Sequence, residues 1–307
     1  MTTRLRAGLL TALCAFAWSG CQAGSTRFCD QQVHVTAAQQ DKLFRFGAVI
    51  KAELDKSGQS LALISRSGLD LSRFGVRYSH AGLSLKASQN TPWSVRQLYY
   101  ACDERKPRIY DQGMSGFVLG FDTPNLGYVS VVLLPAAEAA ALESAALDNR
   151  QALQLLSTAY SANAYPYSQR YQNCNQWVME MLASAWGRLG DGANDGQDDV
   201  PDLRVRAQGW LQSMAYTPSV FEVGPLMVFG LFIPWVHGDD HPTDDTAALR
   251  YRVSMPASIE AFVHTQVPGA ARIEFCHNGR QIVIRRGWEP IAEGCIAGEQ
   301  DTVVQLD

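Results

Sequence analysis

Five short strand-like runs in succession, at residues 61–65, 78–86, 95–101, 108–112 and 128–134, constrain the fold of this chain more than any other feature. Each is apolar or loosely alternating and is bounded by Gly, Pro, Asn or Asp, which break strands and turn the chain. Helical patterns flank the series. Before it, Thr36-Ala37-Ala38-Gln39 forms a capping-box pattern, and Leu43, Phe46, Ile50 and Leu54 recur at helical spacing until Gly58. After it, Pro135 opens an alanine-rich helical region whose second half, 149–160, is expected to bury Leu153, Leu156 and Ala159. A further helix over 174–186 carries Trp177, Val178, Met181, Leu182 and Ala185 on one face. Helix, strand cluster, then helices is an α+β order.

A Gly/Asp-rich loop over 187–202 marks the edge of this first unit. Beyond it come a helix around 205–214 and an apolar stretch, 220–236, interrupted by Glu222, Pro225, Gly230 and Pro234. A short helix over 256–263 then precedes strands at 271–276 and 281–285, joined by His277-Asn278-Gly279-Arg280, which has hairpin-turn chemistry. The expected division is 1–23 as a signal peptide, 24–202 as the main domain, and 203–307 as a C-terminal extension packed on it.

The first two dozen residues read as an address. Arg4 and Arg6 precede an apolar stretch too short to span a bilayer, and the small residues of Ser19-Gly20-Cys21-Gln22-Ala23 suit cleavage after Ala23. A competing reading takes Trp18-Ser19-Gly20-Cys21 as a lipobox with Cys21 as a lipid anchor. Either way the expected location is periplasmic or secreted. The net charge of −4 comes with no basic stripe or tail, which argues against nucleic acid as a partner. The interrupted 220–236 stretch is not a clean transmembrane helix.

Export makes the cysteines informative. After cleavage Cys29, Cys102, Cys174, Cys276 and Cys295 remain, an odd number for an oxidising compartment. Cys276 and Cys295 flank the C-terminal hairpin and suit a mutual bridge, and Cys29 and Cys102 could tie the N-terminal arm to the sheet. That leaves Cys174 over. Asn173 is a good N-cap residue, so Cys174 falls at the first helical position, where unpaired N–H groups and the helix dipole favour a thiolate. A nucleophilic thiol also needs a base, and His80, followed by the small residues Ala81 and Gly82, is the best-placed histidine. Gln97 on the following strand is the candidate to orient the imidazole, with Asp111 as the alternative.

A strand bearing Ser79-His80-Ala81-Gly82, followed by further strands and a helix that begins with Cys174, resembles the circularly permuted NlpC-type papain-like proteins. The resemblance covers about residues 78–186. It implies an antiparallel sheet packed against the cysteine-bearing helix, Cys174 as nucleophile, His80 as base, and Gln97 at the third position. A carboxylate or another polar group is usual there; Gln holds the ring but stabilises an imidazolium less than a carboxylate would. More narrowly, Arg77-Tyr78-Ser79-His80-Ala81-Gly82, Trp93-Ser94-Val95-Arg96-Gln97-Leu98-Tyr99, Tyr110-Asp111-Gln112-Gly113 and Gln172-Asn173-Cys174-Asn175-Gln176-Trp177 resemble a family of exported bacterial proteins of unknown function.

The expected function is an exported thiol hydrolase that cuts a cell-envelope amide or ester (peptide, peptidoglycan or lipid) through a Cys–His acyl-enzyme. The alternatives are an inactive envelope-binding module and a lipid acyltransferase or thioesterase on the same scaffold. No cofactor and no metal are expected. His237-Gly238-Asp239-Asp240-His241 lacks helical spacing and a third ligand, and the acidic 191–202 loop has Ala193 at a ligand position and no closing Glu. The tyrosines from Tyr160 to Tyr171 suit either a substrate groove or packing, and the 220–235 stretch either a lid, a membrane-touching surface or a connector.

Overall fold

The computed structural model describes residues 35–190, 202–224 and 233–306. The chain enters through α1 (Ala37–Lys56), where the capping box is complete: Thr36 Oγ1 accepts the Gln39 N–H, and the Gln39 side chain accepts the Thr36 N–H. Strands β1 (Leu61–Arg66), β2 (His80–Leu85), β3 (Ser94–Ala101) and β4 (Lys106–Gln112) then form a meander, followed by a short helix, α2 (Met114–Val118), and β5 (Gly127–Leu133). Helices α3 (Ala136–Leu147), α4 (Asn149–Gln154), α5 (Cys174–Trp186) and α6 (Leu203–Ser213) follow. The remainder holds a ribbon of β6 (Ser219–Glu222) and β7 (Arg250–Val253) around α7 (Thr243–Ala247), then α8 (Pro256–Gln266), β8 (Ala271–His277), β9 (Gln281–Arg286) and β10 (Thr302–Gln305).

The main sheet has eight antiparallel strands in the order β10-β9-β8-β5-β1-β2-β3-β4. It is covered on both faces, which is why the central strands read as continuous apolar runs. On one face Leu61, Leu63, Ala81, Leu83, Leu85 and Leu98 pack with α3, α5, α6 and α8. On the other, Ala62, Ile64, Val95, Val129, Val131 and Phe275 pack with Leu43, Phe46 and Ile50 of α1 and Met114, Phe117 and Val118 of α2. Each fully buried side chain of this size stabilises the fold by about 1.5–3 kcal/mol relative to exposure.

The C-terminal strands are joined to the first unit through backbone hydrogen bonding: β8 pairs with β5 from Gly127↔His277 to Leu133↔Ala271. Cys276 and Cys295 are bridged, 19 residues apart, beside Tyr78 and Tyr128. Replacing both by Ser is expected to lower the unfolding free energy by about 3 kcal/mol through loop-closure entropy. Urea unfolding measures this, and an unchanged midpoint contradicts it.

Several local expectations shift. The helix expected over 149–160 ends at Gln154; Ala152 is buried, while Leu153 is 60% exposed. The inward face is set by where Leu155 caps the helix against α5. Helix α2, the β6–β7 ribbon, α7 and β10 have no counterpart in the sequence reading. Among the described residues, no helix is long and apolar enough to cross a membrane. The signal peptide and the Cys21 lipobox lie outside the described residues, as do 191–201 of the acidic loop and 225–232 of the apolar stretch.

Candidate active site

Helix α5 is buried along nearly its whole length, so its polar side chains need partners inside the protein. Asn173 caps it, its Oδ1 accepting the Gln176 N–H at 2.7 Å. Glu180, on the same helix, is fully buried. It accepts from Arg204 of α6 at both carboxylate oxygens (2.9 and 3.1 Å), from Gln208 (2.7 Å) and from Gln176 (3.0 Å), with Gln172 as a further donor. Arg204 also donates to the carbonyls of Gln169 and Tyr171. This network fixes the start of α5 and the tyrosine-rich loop that leads into it.

Cys174 sits at that start and is the free cysteine of the described residues. Cys102 is disulfide-bonded, and Cys29, suggested as its partner, lies outside the described residues. The backbone N–H groups of Asn175, Cys174 and Ala81 are directed at the sulfur, and the positive charge of Arg66 acts in the same direction, favouring a thiolate. Burial outweighs them and raises the thiol pKa to about 11. The Tyr160 hydroxyl is bonded to the same side chain. Burial holds Tyr160 well above the usual phenol range, so it remains a donor at neutral pH. Its ring stacks on Tyr100 at 5.1 Å.

His80 opens β2 and is buried. Its Nε2 is 2.7 Å from Gln97 Oε1. The ring stacks on Tyr99 (4.8 Å) and lies 6.3 Å from Phe117 of α2. Side chains alternate along β2, so Ala81 and Leu83 face α5 while His80 and Gly82 face α2. The imidazole is thus bonded to Gln97 rather than to the thiol, and the two groups meet β2 from opposite faces. The β2–β3 register covers only Leu83–Leu85, leaving His80–Gly82 outside the paired segment. Burial, then the charge of Arg66, lowers the His80 pKa to about 3, against a smaller opposing effect of the Gln97 bond. The resting pair is therefore a neutral thiol and a neutral imidazole.

Gly82 makes the close approach possible. A Cβ there would come within 2.5 Å of Val95 Cγ1 and 3.2 Å of Gln97 Cβ. Gly82→Ala is expected to push β3 away and loosen the His80–Gln97 bond, at a cost of about 1–3 kcal/mol in stability. A thermal melt indistinguishable from the parent contradicts this.

Asp111, the other candidate for the third position, is engaged elsewhere. It holds Arg96 at 2.7 and 2.6 Å, and Arg96 in turn donates to the Ala146 carbonyl at the end of α3. Gln97 donates to Gln112 Oε1 at 2.8 Å. Three nearby groups were given no site role by the sequence. Arg66 donates to Tyr99 and to the carbonyls of Gly120 and Ser67. Asn175 reaches the Ser79 carbonyl at 3.2 Å, tying α5 to the residue before His80. Gln112 joins Gln97 to Tyr99. A charged residue at a core-facing position of an apolar strand, as Arg66 is after Ala62 and Ile64, was the available signal.

The other sequence candidates have structural roles. His241 Nε2 is 2.7 Å from the Asn163 carbonyl, and His237 stacks on Tyr171 at 4.5 Å. Among the described residues, no group of three His, Cys, Asp or Glu side chains is placed to hold a metal. Tyr165 and Tyr167 pack on each other, and the Tyr167 hydroxyl donates to the Tyr216 carbonyl. The described part of the apolar stretch forms β6 and contributes Trp235, whose carbonyl accepts the Ala162 N–H.

Buried histidines make the fold acid-sensitive. His277 is packed between Phe46 and Phe121, and neither ring nitrogen has a hydrogen-bond partner among the described residues; burial lowers its pKa to about 4. His80 and His277 titrate near 6.5 when unfolded, so the unfolded chain binds protons that the folded chain refuses. Their contribution is complete above about pH 6.5 and is lost as pH falls toward 4 for His277 and 3 for His80. The expected loss between pH 7 and 4 is on the order of 3 kcal/mol for each. His277→Phe should flatten that slope in pH-dependent urea unfolding; an unchanged slope contradicts the assignment.

Sequence comparison adds a family. Residues 53–263 match the family described as "Uncharacterized protein conserved in bacteria" (DUF2145). No curated protein and no solved structure matches the chain.

Proposed function

The chain belongs to the bacterial family DUF2145, and from the site it carries we propose that it is an exported thiol hydrolase of the papain-like kind, acting on an amide or ester of the cell envelope. The observation that carries this reading is the convergence of three backbone N–H groups on the free Cys174 sulfur, one of them from Ala81, the neighbour of a histidine held by Gln97. This reading requires His80, held by Gln97 toward α2 in the resting structure, to come into hydrogen-bond reach of the thiol in the substrate complex. Cys174 Sγ attacks the carbonyl carbon while its proton passes to His80 Nδ1. The carbonyl oxygen becomes an oxyanion, bound by the Cys174 N–H. Collapse breaks the bond to the amine or alcohol, which takes the proton from His80, and leaves a thioester. Water, deprotonated by His80, then releases the acid and restores the thiol.

The test is product analysis with peptide, peptidoglycan and lipid substrates in parallel, with intact-mass detection of an acyl adduct. Turnover of one substrate with an adduct on Cys174 is expected. Acyl transfer to an acceptor other than water would assign acyltransferase chemistry instead, and no adduct and no product with all three overturns the enzymatic reading. Burial of the thiol, which pushes its pKa up to about 11, favours a second reading. In that reading the protein is an envelope-binding module that keeps the scaffold and a dormant cysteine.

A further inference from the structure

The hydrogen bonds around His80 form a chain with a fixed direction. Arg66 Nη2 is 3.0 Å from the Tyr99 hydroxyl, and a guanidinium can only donate. The Tyr99 oxygen therefore accepts, and its single proton is free for Gln112 Oε1, 3.4 Å away. Gln112 thus presents its carbonyl oxygen to this cluster. Gln97 must then turn its NH2 toward Gln112, at 2.8 Å, and its own oxygen toward His80, at 2.7 Å. An amide oxygen only accepts, so the proton of the neutral imidazole is on Nε2 and the lone pair is on Nδ1.

We propose that Arg66 is a positioning residue that sets the tautomer of His80 through Tyr99, Gln112 and Gln97, keeping Nδ1 free to accept the thiol proton. The role of Nδ1 rests on the hydrolase reading; the direction of the chain does not. Arg66 suits the task because its own position is fixed. It is buried, it pairs across the β1–β2 ladder with His80, its Nη1 is held by the Gly120 and Ser67 carbonyls, and its guanidinium lies 5.4 Å over the Phe117 ring. Among the described residues no carboxylate pairs with it, so its charge is not spent on an ion pair. Without the relay, two primary amides in series can both turn over. Gln97 would then offer N–H to Nε2, and the proton would move to Nδ1, the wrong nitrogen for a base.

The experiment is ¹⁵N NMR of the histidine ring nitrogens, with the His80 signal assigned by its loss in His80→Gln. It needs no turnover, so it is separable from the hydrolase question. The parent protein is expected to show His80 protonated at Nε2. Tyr99→Phe cuts the relay and should lower the Nε2–H to Nδ1–H ratio about fivefold, the equivalent of one net hydrogen bond. Adding Gln112→Glu to that variant should restore the ratio, because a carboxylate can only accept and again forces the Gln97 NH2 toward position 112. Should Tyr99→Phe fail to fold, Gln112→Met interrupts the same chain. His80 protonated at Nδ1 in the parent protein overturns the proposal, as does an unchanged ratio in the interrupted variants. The tautomer with Nε2–H but no turnover on any substrate would overturn the hydrolase reading alone.

Discussion

Cys174→Ala is expected to abolish turnover, lowering it by at least about a thousandfold, and to remove all labelling by a thiol-directed acylating probe. No other free thiol is present among the described residues to replace it. The fold should persist. The N-cap bond from Asn173 and the Glu180 network remain in place, and loss of one buried sulfur costs about 1 kcal/mol. The check is parallel: steady-state rate, probe labelling and a thermal melt on the same preparation. Turnover within a few-fold of the parent, in a protein that still melts cooperatively, contradicts a nucleophilic role for Cys174.

The largest expected effect on stability is at Glu180. Its carboxylate is the shared acceptor for Arg204, Gln172, Gln176 and Gln208, all buried. Glu180→Leu leaves a buried guanidinium and three amides without that acceptor, and removing one partner of such a pair costs about 3–5 kcal/mol. Adding Arg204→Leu should return a substantial part, because a matched apolar pair has no stranded charge. Urea unfolding of the single and double variants measures both steps. A single-variant loss below about 1 kcal/mol would mean that solvent reaches Arg204 and that the network does not anchor α5. Reactivity of Cys174 should change with it, since Gln176 takes part in both the Asn173 cap and the Glu180 network.

What was legible in the sequence was local. Thr36 with Gln39 and Asn173 before Cys174 are short-range capping patterns, and both caps form as read. That Cys174 is the free cysteine of the described residues agrees with the odd cysteine count, and the Cys276–Cys295 bridge with its place around a hairpin. Gln97 could be named because it lies on the strand after His80, and the two are bonded. What was not legible depends on register and on which face a strand turns to each helix layer. Nothing near Arg66 in the chain announces Tyr99 or Gln112; the three meet because β1, β2, β3 and β4 are neighbours. Strand order likewise decides that β8 lies beside β5 and that the C-terminal third continues the sheet. The same limit applies to His80 and Cys174. Their order along the chain suggested a pair, but only strand alternation reveals that the imidazole turns toward α2 while the thiol lies with α5.

The state of the Cys174 thiol is read out by the pH dependence of its alkylation by iodoacetamide, followed by intact-mass spectrometry on the chain without residues 1–23. One alkylated thiol is expected even after denaturation without reductant. In the folded protein a slow rate at neutral pH that climbs with a pKa of about 11 is expected, the mark of a buried neutral thiol. A fast rate that has already levelled off below pH 7 would show a resting thiolate–imidazolium pair and contradict the neutral pair. Two or more alkylated thiols in the denatured chain would contradict the claim that Cys174 alone is left free.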